Sequence, residues 1–238
     1  MDDHTTSIRG LIALQPAGPG GSAGFLQRVC TAATVALSAS GAGISVMTDD
    51  GLRGVSAASD QQSADLEELQ FVLGEGPCMD AFATRRPVLV PDLADGATAR
   101  WPMYTPAARE GGVRAVFAFP LQVGAARMGV LDVFRDCAGP LTADELPLAL
   151  AFADVTVSTL LDRQEDAVIV GTGDDLAEAV EYRAEVFQAQ GMVMVQLGVT
   201  ISEAMARMRA YAYAENRPLS EIARDVVARR LRFDQDHP

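Results

Sequence analysis

The sequence predicts an α+β fold, in which an antiparallel-sheet domain with covering helices is followed by an all-α domain of three helices. Between residues 25 and 163, strand patterns joined by short turns alternate with helical patterns, as in a sheet covered by helices. Residues 184–233, by contrast, contain only helical patterns. The predicted boundaries are a flexible N-terminal segment at 1–24, the sheet domain at 25–165, a linker at 166–175 and the three-helix domain at 176–234.

Turn and cap residues separate the elements of the first domain. Residues 1–24 are rich in Gly and Pro, so we expect a loose segment with a short turn at 8–14 at most. Asp50-Gly51 and Gly124 each separate two strand patterns and indicate hairpins. The predicted elements are a helix at 25–38, strands at 43–48 and 52–57, a helix at 63–72, a strand at 87–90, a helical or irregular segment at 100–110, strands at 113–123 and 128–134, and a helix at 142–163.

Three helices are predicted in the second domain from their caps. The first follows an N-cap at Asp174-Asp175 and ends at Gly198, which supplies a left-handed cap. The second opens on Thr200 with capping-box spacing, and Pro218 separates it from the third. Apolar residues recur at helical spacing in both later helices and predict their buried faces. These residues are Ala204, Met205, Met208, Tyr211 and Ala212, then Leu219, Ile222, Ala223, Val226 and Val227.

The composition limits the chemistry available to the protein. The 238 residues suffice for two modest domains, and all 19 basic residues are Arg. The absence of lysine excludes Walker-A phosphate loops, Schiff-base chemistry and lysine general bases. The two histidines, His4 and His237, lie near the termini, and the three cysteines are widely spaced. We therefore expect no catalysis, no metal site and no cofactor.

The charge is distributed unevenly along the chain, whose net charge is −13. Residues 1–173 contain 11 Arg and 21 acidic residues, whereas residues 203–233 contain seven Arg and four acidic residues. Because an acidic domain repels nucleic acid, any such contact is expected on the Arg-bearing part of the second domain. The acidic start of the sequence differs from a signal peptide and no apolar run has membrane-spanning length, so we expect a cytoplasmic protein.

Arg and Tyr side chains lie opposite the buried stripe of the second domain. At helical spacing Arg209 and Tyr213 share an outward face, and Arg217 and Arg224 lie within about 20° of each other if both are helical. Arg beside an aromatic residue suits phosphate contact and base stacking. The alternative is an ordinary solvated face of a three-helix bundle.

The segments QAQGMVM, SEAMARMRAYAY and RPLSEIARDVV resemble the ANTAR family of RNA-binding transcription antiterminators, with landmark alanines at Ala189, Ala204 and Ala212. The resemblance implies a protein that stabilises paired RNA hairpins with hexanucleotide loops in nascent transcripts. Gln190 replaces the lysine of many members, which leaves a charge contact there open. The candidate RNA-binding residues are Ala189, Gln190, Gly191, Arg209, Ala212, Tyr213, Arg217 and Arg224.

Residues 25–163 resemble a GAF sensory domain in the segments LQFVLGEGPCMDAFATRRPVLVPDL, RWPMYTPAAREGGVRAVFAFPLQVG and MGVLDVFRD. The GEGPC and RWP segments are similar to GAF domains that precede ANTAR modules in actinobacterial regulators. Such folds often hold a small molecule between the sheet and its helices, and the candidate pocket residues are Cys78, Trp101 and Tyr104. The alternative is that all three only pack, with Cys78 structural and no cofactor attached to it.

Two further questions stay open at the level of sequence. Leu176, Val180, Phe187 and Met194 recur at near-heptad spacing, which predicts a homodimer seam or, alternatively, packing within one chain. The third helix, LSEIARDVV, also resembles a helix-turn-helix element, so a DNA-binding regulator or a protein-interaction module competes with the RNA-binding prediction. The expected partners are RNA hairpins, a second copy of the chain and an unidentified small ligand, without a membrane.

Overall fold

The structure is a computed structural model and describes residues 2–16, 21–47, 53–170, 174–215 and 217–234. Within these ranges, the side chains of residues 2–5, 21–22, 53–56, 162–170, 174–184 and 202 lie outside the description. The chain divides into two units, Met1–Leu176 and Ala177–Pro238.

A five-stranded antiparallel sheet forms the centre of the first unit. Its strands are β1 (Gly41–Met47), β2 (Arg53–Ala58), β3 (Val88–Val90), β4 (Ala115–Val123) and β5 (Ala126–Arg135). The strand order is β2-β1-β5-β4-β3, so β5 is central and pairs with β1 and β4. Both predicted hairpins, β1–β2 and β4–β5, are confirmed. The Asp50-Gly51 turn between β1 and β2 lies outside the described residues.

Helices cover both faces of the sheet, because alternate residues of each strand point to opposite sides. Phe117 and Leu131 face one core, whereas Val116 and Val130 face the other. The helices are α1 (Asp2–Ala13), α2 (Gly21–Ala36), α3 (Gln61–Leu73), α4 (Pro77–Thr84), α5 (Ala97–Arg100), α6 (Tyr104–Glu110) and α7 (Glu145–Val170). The first core lies against α1, α2 and α7, and the second lies beneath α3 to α6.

The N-terminal segment differs from its prediction. The expected flexible segment at 1–24 contains α1, whose Ile8 and Ile12 are buried in the first core. The spacing of Ile8, Leu11 and Ile12 places apolar residues on one helical face, and burial of this face stabilises the helix despite the Gly and Pro residues that follow it. Residues 17–20 lie outside the described part of the chain.

Three helices occupy positions where the sequence predicts either no helix or a single helical or irregular segment. GEGPC was expected only to end α3; Gly74 does so in a left-handed conformation, but Pro77 then starts α4. Proline is favourable at the first position of a helix, where its missing N–H costs nothing. The segment predicted at 100–110 forms part of two short helices, α5 and α6.

The helix predicted at 142–163 begins as expected and extends further. The Glu145 carboxylate accepts a hydrogen bond from the Thr142 N–H at 2.8 Å, and the Thr142 hydroxyl accepts one from the Glu145 N–H at 3.2 Å, which completes a capping box. The helix α7 continues to Val170 and thus enters the segment predicted as a linker. Neither α7 nor another described helix combines the length and apolarity needed to cross a membrane.

The second unit is built from α8 (Asp174–Leu197), α9 (Ile201–Ala214) and α10 (Leu219–Val227). The predicted helix ends are confirmed: Gly198 has a φ of 67°, and the Thr200 hydroxyl accepts a hydrogen bond from the Glu203 N–H at 3.2 Å. The C-terminal tail also packs on this core, because the Phe233 N–H donates to Gln196 Oε1 at 2.9 Å. The residues of α9 and α10 that are fully buried are Ala204, Met208, Ala212, Leu219, Ile222, Ala223 and Val226.

Candidate functional site

A group of acidic side chains lies inside the first unit, on the sheet face beneath α3 to α6. Asp132 of β5 shares this face with Val130 and Phe134, because residues two apart in a strand point the same way. Its neighbours across the sheet are Gly43 of β1 and Ala118 of β4. Because both neighbours are small, the sheet leaves room above Asp132 for side chains from the covering helices.

Glu67 of α3 and Cys78 of α4 fill that room. A carboxylate oxygen of Glu67, one of Asp132 and the Cys78 sulfur all lie within 4.8 Å of one another, and all three residues are buried. Gly43 permits this approach, since a Cβ atom built there would lie 2.6 Å from Glu67 Cγ. Two carboxyl groups and a thiol therefore converge in the interior of the first unit.

Hydrogen bonds hold the three groups in place. The Ser45 hydroxyl donates to Glu67 Oε2, and Gln70 Nε2 donates to Asp132 Oδ2 at 3.1 Å. Gln70 Oε1 accepts from the Cys78 N–H at 2.8 Å, so Gln70 joins the start of α4 to β5. Glu67 Oε1 and Asp132 Oδ1 are enclosed and receive no hydrogen bond from a donor among the described residues. A proton on one of the carboxyl groups can satisfy the other.

Burial governs the ionisation of this pair. Burial, followed by the charge of Asp132, raises the pKa of Glu67 well above its ordinary value. Burial also raises the pKa of Asp132, to about 6, although hydrogen bonds from Glu67, Cys78 and Gln70 hold it down. Among the described residues, no ion pair joins an Arg to either carboxylate. At neutral pH the pair therefore carries a negative charge that no described Arg compensates.

The three pocket residues predicted from the sequence lie in this core, and Cys78 joins the acidic pair. Burial raises the pKa of Tyr104, and the charges of Asp132, Glu67 and Cys78 raise it further. The Trp101 indole N–H instead donates to Asp80 Oδ2 at 3.2 Å, and that carboxylate also binds Arg100 at 2.7 Å. Trp101 is thus a packing residue anchored at the edge of the core.

Sequence reasoning missed Glu67 and Asp132. The signal for Asp132 was the alternation of buried and opposite-facing residues along β5. There an acidic residue takes a position on the same face as the buried Val130 and Phe134. A charged residue on the buried face of a central strand is costly and needs a specific neighbour. The expectation of no metal site considered only His and Cys, whereas this cluster combines one Cys with carboxylates distant in sequence.

In the second unit, four of the predicted RNA-binding residues are enclosed or lack a contact. Ala189 and Ala212 are fully buried between the helices, so their side chains act only through the fold. Gln190 is also buried, and its Nε2 donates to the Ile201 carbonyl at 2.8 Å, joining α8 to α9. A Cβ atom built on Gly191 would meet no other atom within 4 Å, so no packing contact within the described residues requires glycine there.

Arg209 and Tyr213 share one face of α9, as their spacing of four residues predicts. Tyr213 is 46% exposed, which is unusual for a large aromatic residue, whereas Arg209 is half-buried. The exposed ring offers a flat apolar surface, and the spacing places Arg209 one helical turn before it. This arrangement suits base stacking with a neighbouring phosphate contact.

Arg217 differs from its prediction, because it precedes α10 and is not helical, so the angular argument linking it to Arg224 fails. Its guanidinium binds Glu221 at 3.2 Å and Asp225 at 2.6 Å. Asp225 also binds Arg230 at 2.7 Å. Hydrogen bonds from Arg217 and Arg230 lower the pKa of Asp225. Arg217 therefore fastens the turn between α9 and α10.

The remaining Arg residues define the basic surface. Arg224 lies 3.7 Å from Glu185 of α8 and is largely exposed, so this pair is weak. Arg229 and Arg232 follow α10 and are exposed. Within the part of the chain that the structure describes, their guanidinium groups form no ion pair. Helical periodicity could not identify these two residues, since they lie beyond the end of α10.

Comparison with protein families assigns both units. The GAF domain family model matches residues 22–160, and the ANTAR domain model matches residues 174–227. No curated protein matches the chain.

Solved structures resemble the first unit in fold. A domain of a putative two-component sensor histidine kinase from Sinorhizobium meliloti is 18% identical, covers 63% of this chain and 97% of its own, and has a TM-score of 0.52. A GAF domain from Synechocystis in its photoproduct state is 16% identical, with coverages of 63% and 99% and a TM-score of 0.53. The GAF domain of a phosphoenolpyruvate-protein phosphotransferase from Coxiella burnetii is 16% identical, with coverages of 71% and 94% and a TM-score of 0.51.

The GAF match covers more than half of the chain, and both regulatory domains lie in the order that the sequence predicts. GAF domains are sensory modules and ANTAR domains are RNA-binding antitermination modules. The chain therefore belongs to the GAF-domain family and is a GAF–ANTAR regulator.

Proposed function

We propose that this protein stabilises paired hairpins with hexanucleotide loops in nascent RNA, which prevents a terminator from forming, and that its GAF domain controls this activity. It acts by binding and performs no reaction of its own. The observation that carries the proposal is the exposed ring of Tyr213 beside Arg209 on α9, within an ANTAR domain. An unpaired loop base can stack on such a ring, which duplex DNA does not offer.

The predicted site residues divide into two roles in this proposal. Ala189, Ala212, Gln190 and Arg217 shape the three-helix scaffold, as their burial or ion pairs favour. The contacting residues are the half-buried Arg209 and four exposed residues: Tyr213, Arg224, Arg229 and Arg232. Because the whole chain has a net charge of −13, attraction to phosphate is confined to this local Arg surface.

We further propose that two copies of the chain pair through α8, so that one dimer holds two hairpins. Phe187 is 37% exposed and lies seven residues before the half-buried Met194, while Val195 is 75% exposed. These apolar side chains support a seam that a second α8 would cover. The other two predicted seam residues, Leu176 and Val180, have side chains outside the described part of the structure.

Sedimentation of the full chain tests the dimer. We expect twice the chain mass of 25.1 kDa at micromolar concentration, and a smaller mass for Phe187→Asp, because a buried unpaired charge opposes association. Gln188→Asp is the matched control, since residue 188 is exposed beside the seam and the substitution adds the same charge. A parent chain that sediments as a monomer contradicts the dimer.

Competition between nucleic acids tests the function itself. The full chain is titrated with an RNA carrying two hexaloop hairpins, the same stems with shortened loops, and duplex DNA of the same bases, each over a range of salt concentrations. We expect the two-hairpin RNA to bind most tightly. Preference for duplex DNA would instead favour a helix-turn-helix regulator, and equal binding of both stem RNAs would contradict recognition of the loops.

A further inference from the structure

Four enclosed polar atoms of the GAF domain, two of them within the cluster, have no hydrogen-bond partner among the described residues. They are Glu67 Oε1, Asp132 Oδ1, the Tyr104 hydroxyl and the Thr105 hydroxyl, in residues that are all at least nine-tenths buried. Buried polar atoms are nearly always satisfied, so each exception requires an explanation. A proton shared between Glu67 and Asp132 engages one oxygen of each carboxyl group but leaves the two hydroxyl groups. The unpartnered Tyr104 hydroxyl therefore needs an explanation that does not depend on the protonation of the two carboxyl groups.

We propose that Glu67, Cys78 and Asp132 bind one divalent metal ion of the zinc class. The donor set carries this choice, since zinc accepts both carboxylate oxygen and thiolate sulfur. Magnesium and calcium prefer sites built entirely from oxygen. Copper(I) and iron–sulfur clusters prefer sites richer in sulfur than this one.

The geometry suits a single ion better than an organic cation. The three donor atoms lie within 4.8 Å of one another, so an ion can contact all three at once. Zinc–ligand distances of about 2.0–2.3 Å place tetrahedral donors roughly 3.4–3.8 Å apart. The donors therefore need to approach by only about an ångström. An alkylammonium ion would need a larger space between them.

The charges also match. A zinc ion displaces the proton of the Cys78 thiol and the proton retained by the acidic pair, because metal ligands bind in their deprotonated forms. The two charges of the ion replace those of the two displaced protons, so binding adds no net charge to the buried cluster. Three protein ligands would leave one position open on a tetrahedral ion.

Neighbouring residues already orient the donors. The Ser45 hydroxyl fixes Glu67 Oε2, and Gln70 binds both Asp132 and the Cys78 N–H. Gly76 leaves room for the Gln70 side chain, since a Cβ atom built at residue 76 would lie 2.5 Å from Gln70 Oε1. Such outer-shell contacts are the usual support of a metal site. This proposal rests on the GAF domain alone and does not depend on RNA binding.

Cobalt and zinc binding by the full chain test the proposal. After dialysis against a chelator, the parent chain is expected to bind one zinc ion and to show thiolate-to-cobalt charge-transfer absorption with Co²⁺. Cys78→Ser is expected to abolish that absorption, whereas the exposed Cys137→Ser is expected to retain it. Asp132→Asn is expected to lower zinc affinity more than about 100-fold, because even outer-shell substitutions cost about 10–100-fold.

Two outcomes would overturn the metal site. One is the absence of stoichiometric zinc binding by the parent chain. The other is zinc or cobalt binding that survives both Cys78→Ser and Asp132→Asn, as binding at the terminal histidines would. Thermal unfolding without metal separates lost binding from lost folding, since Asp132→Asn removes a buried charge and is expected to keep the melting temperature of the parent or raise it.

Discussion

The two domains place their carboxylates in opposite environments. In the GAF domain, Glu67 and Asp132 are buried together without a described cation, and burial raises the pKa of both. In the ANTAR domain, Asp225 lies near the surface between Arg217 and Arg230, and their hydrogen bonds lower its pKa. The ionised form of the same chemical group is therefore destabilised in the GAF domain and stabilised in the ANTAR domain.

This difference distinguishes the proposed binding site at Glu67 and Asp132 from the structural role of Asp225. A buried acidic pair lowers the stability of the folded domain at neutral pH, so its persistence requires a compensating role, such as binding a cation. An exposed ion pair contributes little energy and chiefly fixes a turn. In the ANTAR domain the groups proposed to bind RNA are instead mostly exposed, Tyr213 above all.

The largest expected effect is on the stability of the GAF domain. Burial raises the pKa of Asp132 from 3.8 to about 6. At about 1.4 kcal/mol per pKa unit, its ionisation at pH 7 costs the folded state on the order of 3 kcal/mol. Asp132→Asn should therefore raise the free energy of unfolding by up to roughly this amount in metal-free protein. The single tryptophan, Trp101, reports this measurement because it is buried in the same core.

The contribution of Asp132 to the stability of the folded domain should also depend on pH in a defined direction. Because the folded-state pKa of Asp132 lies above the unfolded value, its favourable contribution is present below pH 3.8 and is lost as the pH rises through about 6. Asp132→Asn should flatten the stability profile between these values, whereas Asp154→Asn, at an exposed position of α7, should leave it unchanged. An unaltered profile in the Asp132→Asn variant would show that the carboxyl does not titrate as its burial indicates.

The next effect concerns the surface of the ANTAR domain. Tyr213→Ala should weaken binding of hexaloop RNA by about 1–3 kcal/mol, since it removes one stacked base, and should barely change the salt dependence. Tyr213→Phe keeps the ring and is the matched control. Stability should change little in both variants, because the ring is 46% exposed. Equal RNA affinity of the parent and the Ala variant would remove Tyr213 from the interface.

The same contrast explains what could be predicted from the sequence. Helix ends at Gly198 and Thr200 and the two hairpins depend on local residues, so they were predictable. The pairing of Glu67 with Asp132 depends on how α3 crosses β5, which no local pattern contains. Periodicity likewise placed Tyr213 on the outside of α9 but could not reveal that Arg217 binds Asp225.

A smaller effect on RNA binding is expected from Arg209, which lies one helical turn before Tyr213. Arg209→Ala should flatten the salt dependence of RNA binding by about one unit, because one phosphate contact is lost. Arg207→Ala is the matched control: residue 207 lies on nearly the opposite side of α9, since two helical residues differ by about 200°. If both substitutions change the slope equally, the effect reflects net charge and not the predicted face.

The smallest expected effect concerns the ion pair between Arg217 and Asp225. Arg217→Ala should lower the melting temperature of the ANTAR helices slightly at neutral pH, as followed by far-ultraviolet circular dichroism. Because hydrogen bonds from Arg217 lower the folded-state pKa of Asp225, their contribution is present above pH 3.8 and is lost as the pH falls through the folded-state value. The difference between parent and variant should therefore vanish in acid and shrink at high salt. Arg232→Ala, which removes an exposed charge, should show neither trend. A difference that persists in acid would mean that Arg217 stabilises the turn through packing of its aliphatic stem, and the contrast between the two domains would then not rest on charge.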